Sequence, residues 1–152
     1  MNNYYFSYGS NMDLSRMKQS KVNFKIIGLG ILKGYELKFN KIKDSCSGYA
    51  NIIPNSTKSV EGIVYELESF DQLDYFEGVD KKHYHRSEIT VEINELPILV
   101  HVYIAYQNRI KEGLKPRKSY LDCLIVGKKY LSDGYLEFLN SFDTIADGVE
   151  CD

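Results

Sequence analysis

Apolar and polar positions follow two rhythms along this 152-residue chain, and each rhythm predicts its own elements. A period of two is plainest over residues 87–93, where Ile89, Val91 and Ile93 face one way and Glu88, Thr90 and Glu92 the other. Residues 94–97 then turn this strand back into a second, over 98–106, as a β-hairpin. Shorter β-prone runs cover 3–8, 23–32, 34–40, 49–54 and 60–67. The last holds the continuous apolar stretch Ile63-Val64-Tyr65 expected of a strand covered on both faces. Gly28, Gly30 and Gly34 punctuate the second and third runs, as glycines do where strands bend in a curved sheet.

The helical rhythm is confined to short segments. Asn11 is a competent N-cap for a helix near 13–18 that buries Leu14 and Met17 at i, i+3. Ser69 through Gln72 fits a capping box, Leu73 and Phe76 supply the expected buried stripe, and Gly78 stands where a helix ends in the left-handed conformation. Glu77 is thereby placed at the carboxyl end of that helix. Pro116 opens a third helical region with Leu121, Leu124 and Ile125 in phase. Residues 132–134 interrupt it before a last helix over 135–142 that carries Leu136 and Leu139. The expected fold is therefore α+β (mixed α/β): one domain over 1–143, built on a curved, partly closed, barrel-like sheet with short flanking helices. Residues 144–152 read as an acidic, frayed tail. No repeat, low-complexity tract or linker divides the chain.

Composition narrows the function more than the fold. Nineteen basic against 21 acidic side chains leave a net charge of -2, which gives no global field for nucleic acid or anionic lipid. No window approaches the ~20 apolar residues of a membrane span, and the amino terminus lacks a secretory pattern, so the expectation is a cytoplasmic protein. Cys46, Cys123 and Cys151 are odd in number and widely spaced, which favours reduced structural thiols over a disulfide or zinc framework. His83 and His85 share one face of a strand and, with His101, form the only metal candidate, but no further ligand has the spacing; the expectation is no metal. The thirteen tyrosines suit packing, a homodimer interface or the rim of a polar pocket equally well.

Two places carry chemistry. A strand that runs through Tyr8-Gly9-Ser10-Asn11 into a helix aims unpaired backbone N–H groups at whatever lies above the turn, an anion cradle in form. Spacing alone favours the plainer reading, a βα turn with glycine at the bend and asparagine as cap. A carboxylate at a helix C-terminus, as Glu77 is placed, faces the negative pole, and an apolar setting from Phe76 and Val79 would raise its pKa toward neutral. A solvated glutamate that tolerates its position is the equal alternative.

With these residues assembled, the chain resembles the γ-glutamylcyclotransferase-like (AIG2-like) family. The resemblance rests on Tyr5-Phe6-Ser7-Tyr8-Gly9-Ser10-Asn11-Met12, on Val60-Glu61-Gly62-Ile63-Val64-Tyr65, on Leu73 through Val79 followed by Tyr84, and on Lys115-Pro116 to Tyr120, in the family's order over nearly the whole chain. It implies a pocket at one mouth of the curved sheet, with Glu77 as catalytic general acid/base. It also implies a substrate cradle from Tyr5, Phe6, Ser7, Tyr8, Gly9, Ser10 and Asn11, and Tyr84 and Tyr120 closing the pocket, with no cofactor. The implied reaction is attack of the α-amine of a γ-glutamyl amide on its own γ-carbonyl, which gives 5-oxoproline and a released amine or amino acid. The partner is thus a small γ-glutamyl molecule, not nucleic acid or membrane. Ser10-Asn11 resembles the general and γ-glutamylamine branches more than the glutathione-specific one. The rivals are a non-catalytic binding or regulatory module of the same fold, and a γ-glutamyl acyltransferase or amidohydrolase.

Overall fold

The computed structural model describes residues 2–151. Five strands, β1 (Tyr4–Ser7), β2 (Phe24–Ile42), β3 (Gly48–Leu67), β4 (Tyr84–Ile93) and β5 (Leu96–Ala105), form a closed barrel in the order β1-β3-β2-β4-β5. Closure is complete where partial closure was expected: β1 also pairs with β5 in parallel, Tyr5 opposite His101. The barrel thus leaves no sheet edge unpaired at that seam.

The four central β-prone runs are two continuous strands of 19 and 20 residues. Glycine and proline interrupt the pattern without ending the strand, because the chain bends at register shifts instead. These lie between Ile26 and Gly28, between Lys33 and Tyr35, and between Lys38 and Lys41. Gly28 and Gly34 adopt φ of 148° and 85°, which a residue with a Cβ rarely takes. Gly62 serves a different need: a Cβ there would lie 2.3 Å from the Ser7 carbonyl oxygen, so only glycine lets β1 lie this close. The β4–β5 hairpin closes on Asn94 and Glu95, both with positive φ, a two-residue turn whose twist matches that of the strands.

Helices α1 (Leu14–Gln19), α2 (Asp71–Phe76), α3 (Lys118–Ile125) and α4 (Asp133–Asn140) flank the barrel, and a 3-10 turn over Ser10–Met12 precedes α1. The cap of α1 is Asp13, whose carboxylate accepts from the Ser15 N–H at 3.0 Å, while Asn11 belongs to the 3-10 turn. The capping box expected at Ser69 does not form: the N-cap of α2 is Phe70, without a side-chain cap, and Ser69 accepts from the Asp71 N–H at 3.1 Å, one residue short of Gln72, because the helix starts one residue later than the pattern suggests. The stripe expected on α2 is half right: Leu73 is 1% exposed, but Phe76 is 63% exposed, because six residues offer one turn of contact and the barrel takes only Leu73. Ser132 caps α4 by accepting from Tyr135 N–H.

The carboxyl-terminal segment is docked, not frayed. Its backbone exchanges hydrogen bonds with Pro116 and Lys118 through Ile145, and the buried Arg117 guanidinium donates to the carbonyls of Ala146 and Val149. This brings Cys151 onto Cys46, with Cα atoms 5.6 Å apart, as a disulfide that closes a sequence separation of 105. The expectation of reduced thiols at these two positions is corrected: the pairing is made by the docked tail, which spacing alone does not show. Cys123 remains free, partly exposed, and donates to the Ser119 carbonyl.

Candidate active site

The carboxyl end of β1, the start of β3, the start of β4 and one side chain from α3 converge on a cavity of ≈ 440 Å³. That volume suits a small polar metabolite. Among its walls are Tyr5, Phe6, Tyr8, Gly9, Ser10 and Asn11 from the first segment, Glu77, and Tyr84 and Tyr120. Ser7 stands apart from this group: its side chain is 1% exposed and lies outside the lining.

Glu77 reaches the cavity because α2 stops at it. The helix ends in a Schellman motif, Gly78 N–H to the Tyr75 carbonyl at 3.1 Å and Val79 N–H to the Asp74 carbonyl at 3.0 Å, with Gly78 at φ 65°. His83 packs on Gly78 so closely that a Cβ at position 78 would lie 2.8 Å from its ring. Glycine therefore both reverses the chain and admits the imidazole. Burial raises the Glu77 pKa to about 7, partly offset by the positive charges of Arg16 and Lys41. Glu77 is partly exposed and lines the cavity.

The tyrosines around Glu77 are fixed by the backbone. The Tyr84 hydroxyl donates to the Ala50 carbonyl at 2.8 Å, and the Tyr120 hydroxyl accepts from the Ala50 N–H at 3.0 Å. Ala50 lies beside the register shift between Lys38 and Lys41, where the β2–β3 ladder leaves backbone groups to be paired otherwise. Tyr8 donates to the Tyr103 carbonyl at 2.5 Å, Asn11 donates to the Tyr5 hydroxyl at 3.1 Å, and Tyr65 donates to the Asn11 carbonyl at 2.7 Å. Burial raises the pKa of Tyr5, Tyr8, Tyr84 and Tyr120, with the Glu77 charge adding to each. These phenols stay protonated, so they shape and polarise the cavity and leave proton transfer to Glu77.

A γ-glutamyl cyclotransferase sequence profile of the AIG2-like type matches residues 5–122. The chain belongs to that family. No curated protein matches the sequence. Among solved structures, the fold is similar to that of the human uncharacterized protein LOC79017 (TM-score 0.85, 24% identity, 93% of this chain and 88% of that chain). It is also similar to a γ-glutamyl cyclotransferase (TM-score 0.84, 24% identity, 93% and 88%) and to YkqA of Bacillus subtilis (TM-score 0.81, 24% identity, 93% and 55%). At these identities the likeness establishes the AIG2-like cyclotransferase fold.

Several lining residues of this family member were not assigned to the site from its sequence. Arg16, Lys41, Tyr49, Phe76, His83 and Tyr103 all face the cavity. Arg16 lies on the helix after the loop, and Phe76 faces the cavity where the sequence pattern predicts core burial. The histidines do not assemble: His83 contacts Lys41 Nζ, His85 contacts Ser87 Oγ, and His101 meets the Asn2 carbonyl. Among the described residues, the one group of His, Cys, Asp or Glu close enough to hold an ion is Asp44, Cys46 and Cys151, which includes the disulfide. Among the described residues, no helix is long and apolar enough to cross a membrane.

Proposed function

We propose that the protein is a γ-glutamylcyclotransferase, which cleaves a γ-glutamyl amide by attack of the substrate's own α-amine on its γ-carbonyl. The observation that carries this reading is the meeting of Glu77 with the Tyr8-Gly9-Ser10-Asn11 loop on one cavity. A carboxylate that titrates near neutrality is suited to accept and return a proton.

The nucleophile belongs to the substrate, so the protein's tasks are geometry and proton movement. Folding the glutamyl arm into attack geometry can contribute up to ~11 kcal/mol at the extreme. Glu77 accepts one proton of the α-ammonium, and the freed nitrogen closes on the γ-carbon. The ring nitrogen then loses a second proton as the exocyclic C–N bond breaks. Both protons end on the departing amine, which leaves as an ammonium, and Glu77 is again a carboxylate. Backbone N–H groups of Gly9 to Asn11 would hold the α-carboxylate or the developing oxyanion. Tyr84 and Tyr120, tethered to Ala50, hold the far wall.

Product analysis tests the reading. The purified protein, incubated with a panel of γ-glutamyl amino acids and γ-glutamylamines, should release 5-oxoproline in a 1:1 ratio with the amine. Free glutamate in its place would mean hydrolysis, and saturable binding without product would mean a binding module.

A further inference from the structure

Lys41 is an unusual cation. It ends the β2 segment that faces the site, is 4% exposed, and forms no ion pair among the described residues. Its Nζ meets His83 Nδ1 at 2.8 Å and the Ile42 carbonyl at 3.2 Å. The rings of Tyr49 and Tyr84 stand 5.6 and 5.7 Å from it. The His83 pKa is lowered, by burial and by the neighbouring Lys41, Arg109 and Lys81, so a neutral imidazole accepts this bond. An ammonium has three donors. Two are spent on protein acceptors, and the third is left for the cavity that Lys41 lines.

The charge balance of the cavity points the same way. Arg16 and Lys41 face it with Glu77 as the acid between them, and Glu77 titrates near neutrality. Burial and then the charge of Arg109 lower the Lys41 pKa, and Glu77 opposes them. A buried cation that forms no ion pair, and that a single shared acid, Glu77, offsets only in part, is costly, and a ligand that brings further negative charge reduces the cost. Tyrosine rings on two sides favour keeping the ammonium charged and aim it.

We propose that Lys41 is a specificity-determining anchor for a carboxylate of the substrate. Given the γ-glutamyl reading, on which the identity of that group rests, the carboxylate is either the glutamyl α-carboxylate or the one on the leaving amino acid. In the second case the protein takes γ-glutamyl amino acids in preference to γ-glutamylamines.

Three ligands and two variants separate the cases. γ-Glutamyl-alanine carries both carboxylates, γ-glutamyl-ethylamide lacks the leaving-group one, and 4-aminobutyryl-alanine lacks the glutamyl one. Lys41→Met should raise KM for γ-glutamyl-alanine on the order of 10- to 100-fold, the range of a lost charge-assisted hydrogen bond, with a smaller change in kcat. Lys41→Arg should restore most of the loss, which a merely structural lysine would not require. The Lys41→Met penalty should vanish for the ligand that lacks the anchored group: in γ-glutamyl-ethylamide turnover if the anchor holds the leaving group, and in 4-aminobutyryl-alanine binding by calorimetry if it holds the glutamyl end. Equal KM values in parent and Lys41→Met overturn the proposal. If Lys41→Met does not fold, the unaltered protein still decides: loss of affinity on deleting one of the two carboxylates is expected, and full affinity for both γ-glutamyl-ethylamide and 4-aminobutyryl-alanine overturns the proposal. Calorimetry with glutarate needs no turnover, so Lys41-dependent glutarate binding without any 5-oxoproline would leave the anchor standing and sink the cyclotransferase reading instead.

Discussion

Replacing Glu77 with glutamine should move activity and stability in opposite directions. The substitution keeps the shape of the side chain and removes its charge. A base that acts in the rate-limiting proton transfer contributes roughly 100- to 10,000-fold, so kcat/KM for 5-oxoproline release should fall by about that factor. The parent's kcat/KM should rise with pH through an apparent pKa near 7 as Glu77 ionises, and the variant should lose that limb.

Stability follows from the same titration. The folded protein raises the Glu77 pKa from 4.5 to about 7, mainly by burial. Between those values the native state binds the proton and the unfolded chain does not, so stability falls as pH rises from about 4.5 to 7. Each tenfold change in acid constant is ~1.4 kcal/mol, which sets a ceiling of about 3 kcal/mol for the ionised group. Solvent in the cavity screens part of it, leaving about 1 to 3 kcal/mol. Glutamine mimics the protonated form. The variant should therefore melt at the parent's temperature near pH 4 and some 2 to 12 °C above it at pH 8, at roughly 2–4 °C per kcal/mol for a domain of this size. Calorimetric scans of both proteins from pH 4 to 8 measure the gap. A variant that retains more than about a tenth of parental kcat/KM, or a melting difference that does not grow with pH, would refute the reasoning.

Three further perturbations read other parts of the structure. Tyr84→Phe orphans the Ala50 carbonyl, so unfolding should become easier by about 1–3 kcal/mol in denaturant titrations, while turnover falls less than in Glu77→Gln; an equal loss of turnover would make Tyr84 a catalytic group. Gly62→Ala forces a methyl to within 2.3 Å of the Ser7 carbonyl and should cost 1–3 kcal/mol or more by the same titration, with unchanged stability contradicting the close β1–β3 approach. Reduction of Cys46–Cys151 opens a loop of about 100 residues, for which chain entropy alone gives about 4.7 kcal/mol and measured cases usually 2–4. A melting point lower by several degrees under reductant, and one titratable thiol in the unreduced protein against three after reduction, are expected; three thiols without reductant would contradict the pairing.

The sequence made the barrel's parts legible wherever a local rule was decisive. Alternation marked β4 and β5, and the positive-φ pair Asn94 and Glu95 shows why the turn between them is only two residues long. Gly78 announced the end of α2 and hence the place of Glu77, because a left-handed residue after a helix has few alternatives. What stayed hidden depends on long-range register. Lys41 reads locally as a surface lysine in the polar run Asn40-Lys41-Ile42-Lys43. It becomes a buried, cavity-facing cation only through the bulge between Lys38 and Lys41, which sets Tyr49 opposite it and frees Ala50 for Tyr84 and Tyr120. The same bulge thus positions the tyrosine wall and turns Lys41 inward. The tail is hidden for a related reason: its acidic composition describes a solvated end, whereas its docking depends on Arg117 and Cys46, distant in the chain. Periodicity reports which face of an element is buried. It does not report what two distant irregularities build together, and in this protein the candidate site is assembled at such an irregularity.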